Sequence, residues 1–367
     1  MHVALALLTL FPGRVGGSEA NVRGLLGAFR GGGGPERLTV LANRHVMRAY
    51  ADIGLPLHHV RSYRPGQSDV TRALAMLSAR AAPRLAARDV PAGIDLVHYP
   101  VTVPVPRPAG ARSVVTLLDV QHHELPEMFS RAERWQRAWA YDAAARRADR
   151  VLTISEHARR GIIEHVGVAP KRVEAIALGV DHARFTPDGA LPLGLPERYV
   201  LYPANMWPHK NHERLLAAFA QVDDPTLHLV LTGQTYAREH LLAGRERVRH
   251  LGHIPAADLP AVYRGALALV FPSLFEGFGL PPLEAMACGT PVAASDAGAV
   301  AEVCGDAALA FDPHEIDSIA AAIERVTQDE PLRAELRAAG IARAARFTWQ
   351  ATAAAHLRAY ERAGRDA

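Results

Sequence analysis

The sequence predicts an α/β protein built from two doubly wound parallel sheets, and three observations carry that reading. Short β-rich apolar runs alternate with helical stretches along the chain, the alternation comes in two sets, and a crowd of prolines and glycines separates the sets. Parallel strands need long crossovers, and a helix of ten or so residues supplies one. A chain of 367 residues has room for two such domains. An apolar share of 49% against 22% charged residues is enough for two buried cores.

The first set opens with an apolar run over residues 3–10, closed by Pro12 and Gly13. This run is too short to span a bilayer and lacks the basic start and cleavage site of a signal peptide. Further strands are expected at 38–41, 96–98, 113–118, 150–154 and 173–177, with helices at 19–29 and 131–148. The glycines at 31–34 read as a flexible surface loop. The second set places strands at 199–203, 227–232, 248–251, 267–272 and 290–295. Its helices fall at 213–220, 259–264, 282–288, 316–326 and 330–346. Pro187, Gly189, Pro192, Gly194 and Pro196 mark the join. The expected domains are 1–185 and 186–345, with a C-terminal helix over 346–367 packing back on the first. Doubly wound sheets bind ligands beyond the carboxyl ends of their strands, so two facing sheets are expected to hold a ligand in the cleft between them.

Charge is unevenly divided. The 41 basic and 38 acidic residues give +3 overall, which excludes a protein whose whole surface wraps nucleic acid. Residues 1–190 hold 25 basic and 17 acidic residues, the remainder 16 and 21. Basic clusters at 131–137 and 146–150 suit either a solvated helix face or a patch meeting an anionic lipid surface or acceptor. Only Cys288 and Cys304 are present, so neither a disulfide framework nor a four-cysteine zinc site is available. A cytoplasmic location is expected, with peripheral attachment to the inner face of the plasma membrane. The 18 histidines show no pair at metal-binding spacing with a third ligand in view, and no tightly held metal is expected. Lys171 and Lys210 are the only lysines among 41 basic residues. In so Arg-biased a chain, a retained Lys suggests a need for a compact ammonium, although Lys171 has no visible task.

The segment from Phe271 to Thr290 carries the richest chemistry. An apolar strand runs into a loop containing Glu276, Gly277, Phe278 and Gly279, then into a helix opened by Pro281 and Pro282 and holding Glu284. Glycines let a backbone approach a ligand closely, and amides at a helix start form an anion site. Two carboxylates flank that anion site, and carboxylates accept hydrogen bonds well from vicinal hydroxyls. Phosphate-binding amides between two hydroxyl acceptors match a nucleoside diphosphate sugar. Lys210 sits where a second loop enters a helix, a place where a cation opposes the helix dipole unless an anion faces it. Asn205, at the preceding strand end, has an amide to donate. Trp207 between them reads as a packing anchor rather than a stacking platform. Near the start, Gly16, Gly17 and Ser18 lie between a strand and a helix, and Asp119, His122 and His123 follow another strand. Each has a bland alternative, a packing glycine or a satisfied strand-end polar cluster.

Together, Glu276 and Glu284 around Gly-Phe-Gly, with Asn205 and Lys210, resemble the retaining family-4 glycosyltransferases of the GT-B fold. Pro-Ala-Asn-Met-Trp-Pro-His-Lys-Asn-His is similar to the bacterial mannosyltransferase-like branch of that family, which builds O-antigen and related glycans. The resemblance implies a hexosyltransferase acting from a nucleoside diphosphate sugar, GDP-mannose first, on a glycan, lipid-linked or small-molecule acceptor. It implies catalytic roles for Lys210, Glu276, Asn205 and Asp119. Lys210 would hold the diphosphate, Glu276 the donor-sugar hydroxyls, and Glu284 the ribose. Gly16, Gly17, Gly233, Ile254, Gly277, Phe278, Gly279 and Leu280 would complete the donor site. His122, His123 and Ser18 would lie on the acceptor or sugar side. Two departures stand out: Leu118 occupies the place of a His that most members carry, and Asn205 that of an Arg. A same-fold nucleotide-sugar epimerase and a non-catalytic nucleotide-sugar-binding partner remain open as alternatives.

Overall fold

The computed structural model describes residues 1–13, 17–66, 68–192 and 194–365. The chain forms two compact units, Met1–Gly179 with Trp349–Ala367, and Val180–Thr348. The first unit holds a seven-stranded sheet of β1 (His2–Ala6), β2 (Arg37–Ala42), β3 (Leu57–His59), β4 (Leu96–Tyr99), β5 (Arg112–Thr116), β6 (Arg150–Thr153) and β7 (Val173–Ala175). Its order is β3-β2-β1-β4-β5-β6-β7, and every pair is parallel. The second unit holds β8 (Tyr199–Pro203), β9 (His228–Thr232), β10 (Val248–His250), β11 (Ala268–Phe271), β12 (Val292–Ser295) and β13 (Leu309–Phe311). Its order is β10-β9-β8-β11-β12-β13, again all parallel.

Both sheets reverse their winding after the third strand, between β1 and β4 and between β8 and β11. At such a point the flanking loops diverge and leave a crevice at the carboxyl ends of the strands. Every residue of β1, β4, β6, β11 and β12 is buried, as expected of sheets covered on both faces. The two-residue side-chain period divides β1 cleanly. Ala4 and Ala6 join one core cluster, Val3 and Leu5 the other.

The terminal helix Trp349–Arg365 belongs to the first unit and covers the second of these clusters with Ala353, Ala359, Tyr360 and Ala363. A Cβ on Gly24 would come within 2.2 Å of the Trp349 indole, so only glycine fits beneath that ring. Buried His98 on β4 joins this helix to the sheet, 2.7 Å from the Tyr360 hydroxyl through Nδ1 and 2.7 Å from Thr116 Oγ1 through Nε2.

Some local expectations need correcting. The helix expected over 131–148 is broken by a π-type turn at Ala138–Asp142, between Arg131–Arg137 and Ala143–Arg147. The glycines at 31–34 do not form a free loop. Phe29–Gly33 is a π-type turn that ends the helix Gly17–Ala28, with Gly32 at φ 95°, a value glycine tolerates because it lacks Cβ. The three-residue edge strands β3 and β13 are not among the strands expected from the sequence. No helix among the described residues is long and apolar enough to cross a membrane.

Candidate functional site

In the second unit, the loops after β8 and β11 flank the reversal point. The β8 loop ends in a one-turn 3-10 helix, Pro208–Lys210, and Asn211 at φ 61° and ψ 31° turns the chain into the helix His212–Gln221. Five contacts fix the β8 loop, three of them against the β11 loop. Leu274 N donates to His209 O at 2.8 Å, and the Tyr202 hydroxyl donates to Lys210 O at 2.8 Å and lies 3.0 Å from Ser273 Oγ. Asn211 Nδ2 donates to Pro272 O at 3.1 Å and to Pro313 O at 2.7 Å. Tyr202, Asn211 and Ser273 are all buried, so this scaffold is rigid where the site needs it.

That scaffold brings Lys210 and Glu276 together. The Lys210 ammonium donates to Glu276 Oε1 at 2.5 Å, with both side chains mostly buried. Phe271 lies beneath the ammonium, 5.9 Å from ring centroid to Nζ. Gly279, at φ 119°, caps the helix Leu280–Ala287, whose first turn holds Pro281 and Pro282. Glu276, Gly277, Phe278, Gly279 and Leu280 therefore lie on one strand-to-helix connection, which meets Lys210 through Glu276.

Glu284 stands one turn into that helix, and its Oε2 accepts from the Tyr263 hydroxyl at 2.9 Å. Burial pushes its carboxyl up to about 7, against the opposing pulls of the Tyr263 hydrogen bond and the Arg184 charge. Asn205 is partly committed: its Oδ1 accepts from Gln234 N at 2.8 Å, while Gln234 O accepts from Met206 N at 2.8 Å. Only its amide N–H groups are left to donate to a ligand. Gly233 stands beside it at φ 98°, where a Cβ would meet Ala204 O at 2.7 Å. Gly233 also receives a contact from His250 Nε2 at 2.9 Å and donates its N–H to Gly252 O at 2.7 Å, which links it to the segment leading to Ile254. Trp207 is not an interior anchor. It is 43% exposed and stacks on Tyr236, itself 43% exposed, with centroids 4.0 Å apart.

In the first unit, a cavity of about 520 Å³ opens at the carboxyl ends of β1, β4 and β5. Ser18, Leu118 and Asp119 line it, with Glu133, Arg137 and Tyr141 from the helical segment beyond. Asp119 Oδ1 accepts from Gln121 N at 3.1 Å, which turns the chain out of β5. Gly17 opens the helix Gly17–Ala28 and is exposed, whereas Gly16 lies outside the described residues. His122 and His123 do not line the cavity. Their Nε2 atoms meet the two oxygens of Asp142, at 3.2 Å and 2.9 Å. The ligand-type atoms of these three residues lie within 4.8 Å of one another, a grouping that the spacing of histidines in the sequence does not show.

Tyr202, Asn211, Tyr263 and Asp142 are the structural partners that sequence reasoning missed. Only Asn211 left a signal, since Asn before a helix is a common cap and tolerates the left-handed conformation.

Two family models match. "Glycosyltransferase Family 4" covers residues 15–184 and "Glycosyl transferases group 1" covers residues 189–343. The chain is 32% identical to the O-antigen chain mannosyltransferase B of Escherichia coli, over 68% of this chain and 70% of that protein. It is also 32% identical to the serotype-specific mannosyltransferase WbdA of Escherichia coli, over 56% of this chain but only 28% of that longer protein. Among solved structures, HepE of Anabaena in complex with UDP and glucose superposes with a TM-score of 0.73 at 19% identity, covering 99% of both chains. The sucrose-phosphate synthase of Thermosynechococcus elongatus superposes at 0.77 and 22% identity, over 99% of this chain and 98% of that one.

Proposed function

We propose that this chain, a member of the family-4 glycosyltransferases of the GT-B fold, moves a hexose from a nucleoside diphosphate sugar to an acceptor hydroxyl with retention at the anomeric carbon. The relatives named as mannosyltransferases make mannose the leading sugar and GDP-mannose the first donor to try. The observation that carries the reading is the Lys210–Glu276 pair, held by stapled loops where the second sheet reverses its winding.

Lys210 has three N–H donors, so it can keep Glu276 and still face a diphosphate. As the bond from anomeric carbon to phosphate oxygen breaks, its electron pair stays on the leaving diphosphate. The ammonium and the amides of Phe278 and Gly279 are fixed where that charge grows, and so favour the transition state over the ground state. The acceptor oxygen bonds to the anomeric carbon from the leaving-group face, and its proton passes to a phosphate oxygen. No carboxylate nucleophile is needed, unlike a two-carboxylate glycosidase. Glu276 takes donor-sugar hydroxyls and Glu284 the ribose hydroxyls. The cavity beside Asp119 takes the acceptor, a glycan, lipid-linked or small molecule.

A panel of nucleotide sugars in a thermal-shift assay tests the donor site, since a ligand that binds only the folded state raises its melting temperature. Stabilisation by GDP-mannose that Lys210→Ala abolishes is expected. If no nucleotide sugar stabilises the protein, the reading fails. Binding without transfer to any acceptor extract favours the non-catalytic alternative that Leu118 suggests.

For the first unit we propose contact with an anionic membrane surface. Trp135 is 69% exposed and stacks on Trp139, with Arg131 beside it, and interfacial tryptophans with arginines suit a headgroup layer. Co-sedimentation with phosphatidylglycerol vesicles is expected, weakened in Trp135→Ala and absent with phosphatidylcholine vesicles. Equal sedimentation of both proteins would remove that role.

A further inference from the structure

We propose that Asp142 is a positioning residue that braces the acceptor cavity of the first unit by holding His122 and His123 on the two oxygens of one carboxylate. Two of the cavity's walls have separate origins. The chain leaving β5 supplies Leu117, Leu118 and Asp119, and the segment 131–147 supplies Glu133, Gln136, Arg137, Ala140 and Tyr141. Asp142 lies behind the second wall, next to Tyr141, and its imidazole partners lie three and four residues beyond Asp119 of the first, so the contacts at 3.2 Å and 2.9 Å tie together the segments that carry the two walls.

The π-type turn Ala138–Asp142 explains how one segment serves both purposes. It places Ala140 and Tyr141 on the cavity and the next residue, Asp142, on the imidazoles. Such turns interrupt a helix at a cost and recur where function needs a displaced side chain. The side chains of Asp142 and His122 are 1% and 2% exposed. Burial pushes the Asp142 carboxyl up, yet the bonds from His122 and His123 outweigh it and hold the group below its usual range, as an anion. Arg146 adds a positive charge 4.0 Å away, and the His165 ring stacks on His123 at 5.7 Å.

The same three residues could be read as metal ligands, but the hydrogen bonding favours the brace. Both Nε2 atoms must carry hydrogen to donate to Asp142. The buried Nδ1 of His122 has no partner among the described residues. A metal-ligating His uses one bare nitrogen and donates from the other to a second group, and His122 is offered none.

The functional consequence rests on the glycosyltransferase reading, whereas the brace itself does not, and the test separates them. In the full chain, Asp142→Ala is expected to speed amide exchange about tenfold in peptides covering 117–124 and 131–147, with the second unit unchanged. With GDP-mannose and octyl α-mannoside as probes, the acceptor KM rises about fivefold while the donor KM stays level. Asp142→Asn falls between, because its oxygen accepts from one imidazole and its amide donates to the other. Unchanged exchange in either peptide overturns the brace, as does a parallel rise in both KM values. Stoichiometric binding of Zn²⁺ or Co²⁺ that Asp142→Asn abolishes also overturns it, in favour of a metal site. If the unmutated chain transfers nothing to the mannoside, that acceptor reading fails, and the exchange data still decide the brace.

Discussion

Glu284→Gln isolates the cost of the charge at the ribose end of the donor site. The Glu284 carboxyl is pushed from 4.5 up to about 7, with burial as the main cause. Its proton is therefore lost more readily in the unfolded chain than in the folded one. As pH rises from about 4.5 through 7, the folded state binds the extra proton, and its stability falls. A shift of this size amounts to about 3 kcal/mol at most once pH exceeds 7, and to about 1 kcal/mol near pH 5. Gln keeps an oxygen for the Tyr263 hydroxyl but has no charge to desolvate. The variant should thus gain about 1 kcal/mol over the native protein at pH 5, and up to about 3 kcal/mol at pH 8. For a unit the size of Val180–Thr348 that corresponds to about 6–12 °C in melting temperature. Melting curves of both proteins at pH 5, 6, 7 and 8 check it. An equal difference at every pH would refute the argument. GDP-mannose should stabilise the native protein more than the variant, because the carboxylate that costs stability is the one proposed to receive the ribose.

The remaining predictions concern separate parts of the chain. Lys210→Ala should lower turnover by well over tenfold with GDP-mannose, and near-native rates in a transfer assay would remove Lys210 from the chemistry. Gly233→Ala should cost about 2 kcal/mol or more in urea unfolding, since its φ of 98° suits glycine and its Cβ would strike Ala204 O. The first unit should lose stability in acid. Burial holds His98 well below 6.5 and pushes His356 down to about 4, so both bind protons more readily once unfolded. Their stabilising effect is present above pH 6.5 and fades as pH falls toward 4, the opposite trend to Glu284. Intrinsic fluorescence unfolding across pH 4–8 measures it. Tyr360→Phe should cost about 1–3 kcal/mol, because it leaves His98 Nδ1 buried and unpaired.

The doubly wound architecture was legible because β-rich runs and crossover helices alternate with few exceptions. Lys210 and the Glu276–Gly279 loop were legible because Gly and Pro punctuate strand-to-helix turns. Other features were hidden for specific reasons. The burial that raises Glu284 leaves no local pattern, and the groups that oppose it, Tyr263 and Arg184, are distant in sequence. Asp142 meets His122 and His123 only because a π-type turn interrupts the helix, and periodicity reads straight through such a turn. Trp207 looked like a packing anchor because its residue type says nothing about whether a neighbour such as Tyr236 meets it at the surface.

The interrupted course of the first unit bears on biosynthesis. Its sheet is complete by β7, yet the helix that covers one face begins only at Trp349. As the polypeptide leaves the ribosome, the second unit has all its residues while its predecessor in sequence still lacks the helix that packs on β5 and completes the cluster holding Val114. The nascent protein thus carries an adhesive half-finished lobe through the synthesis of about half its length. A truncation that removes this last helix should be recovered as aggregate rather than as a shortened soluble enzyme.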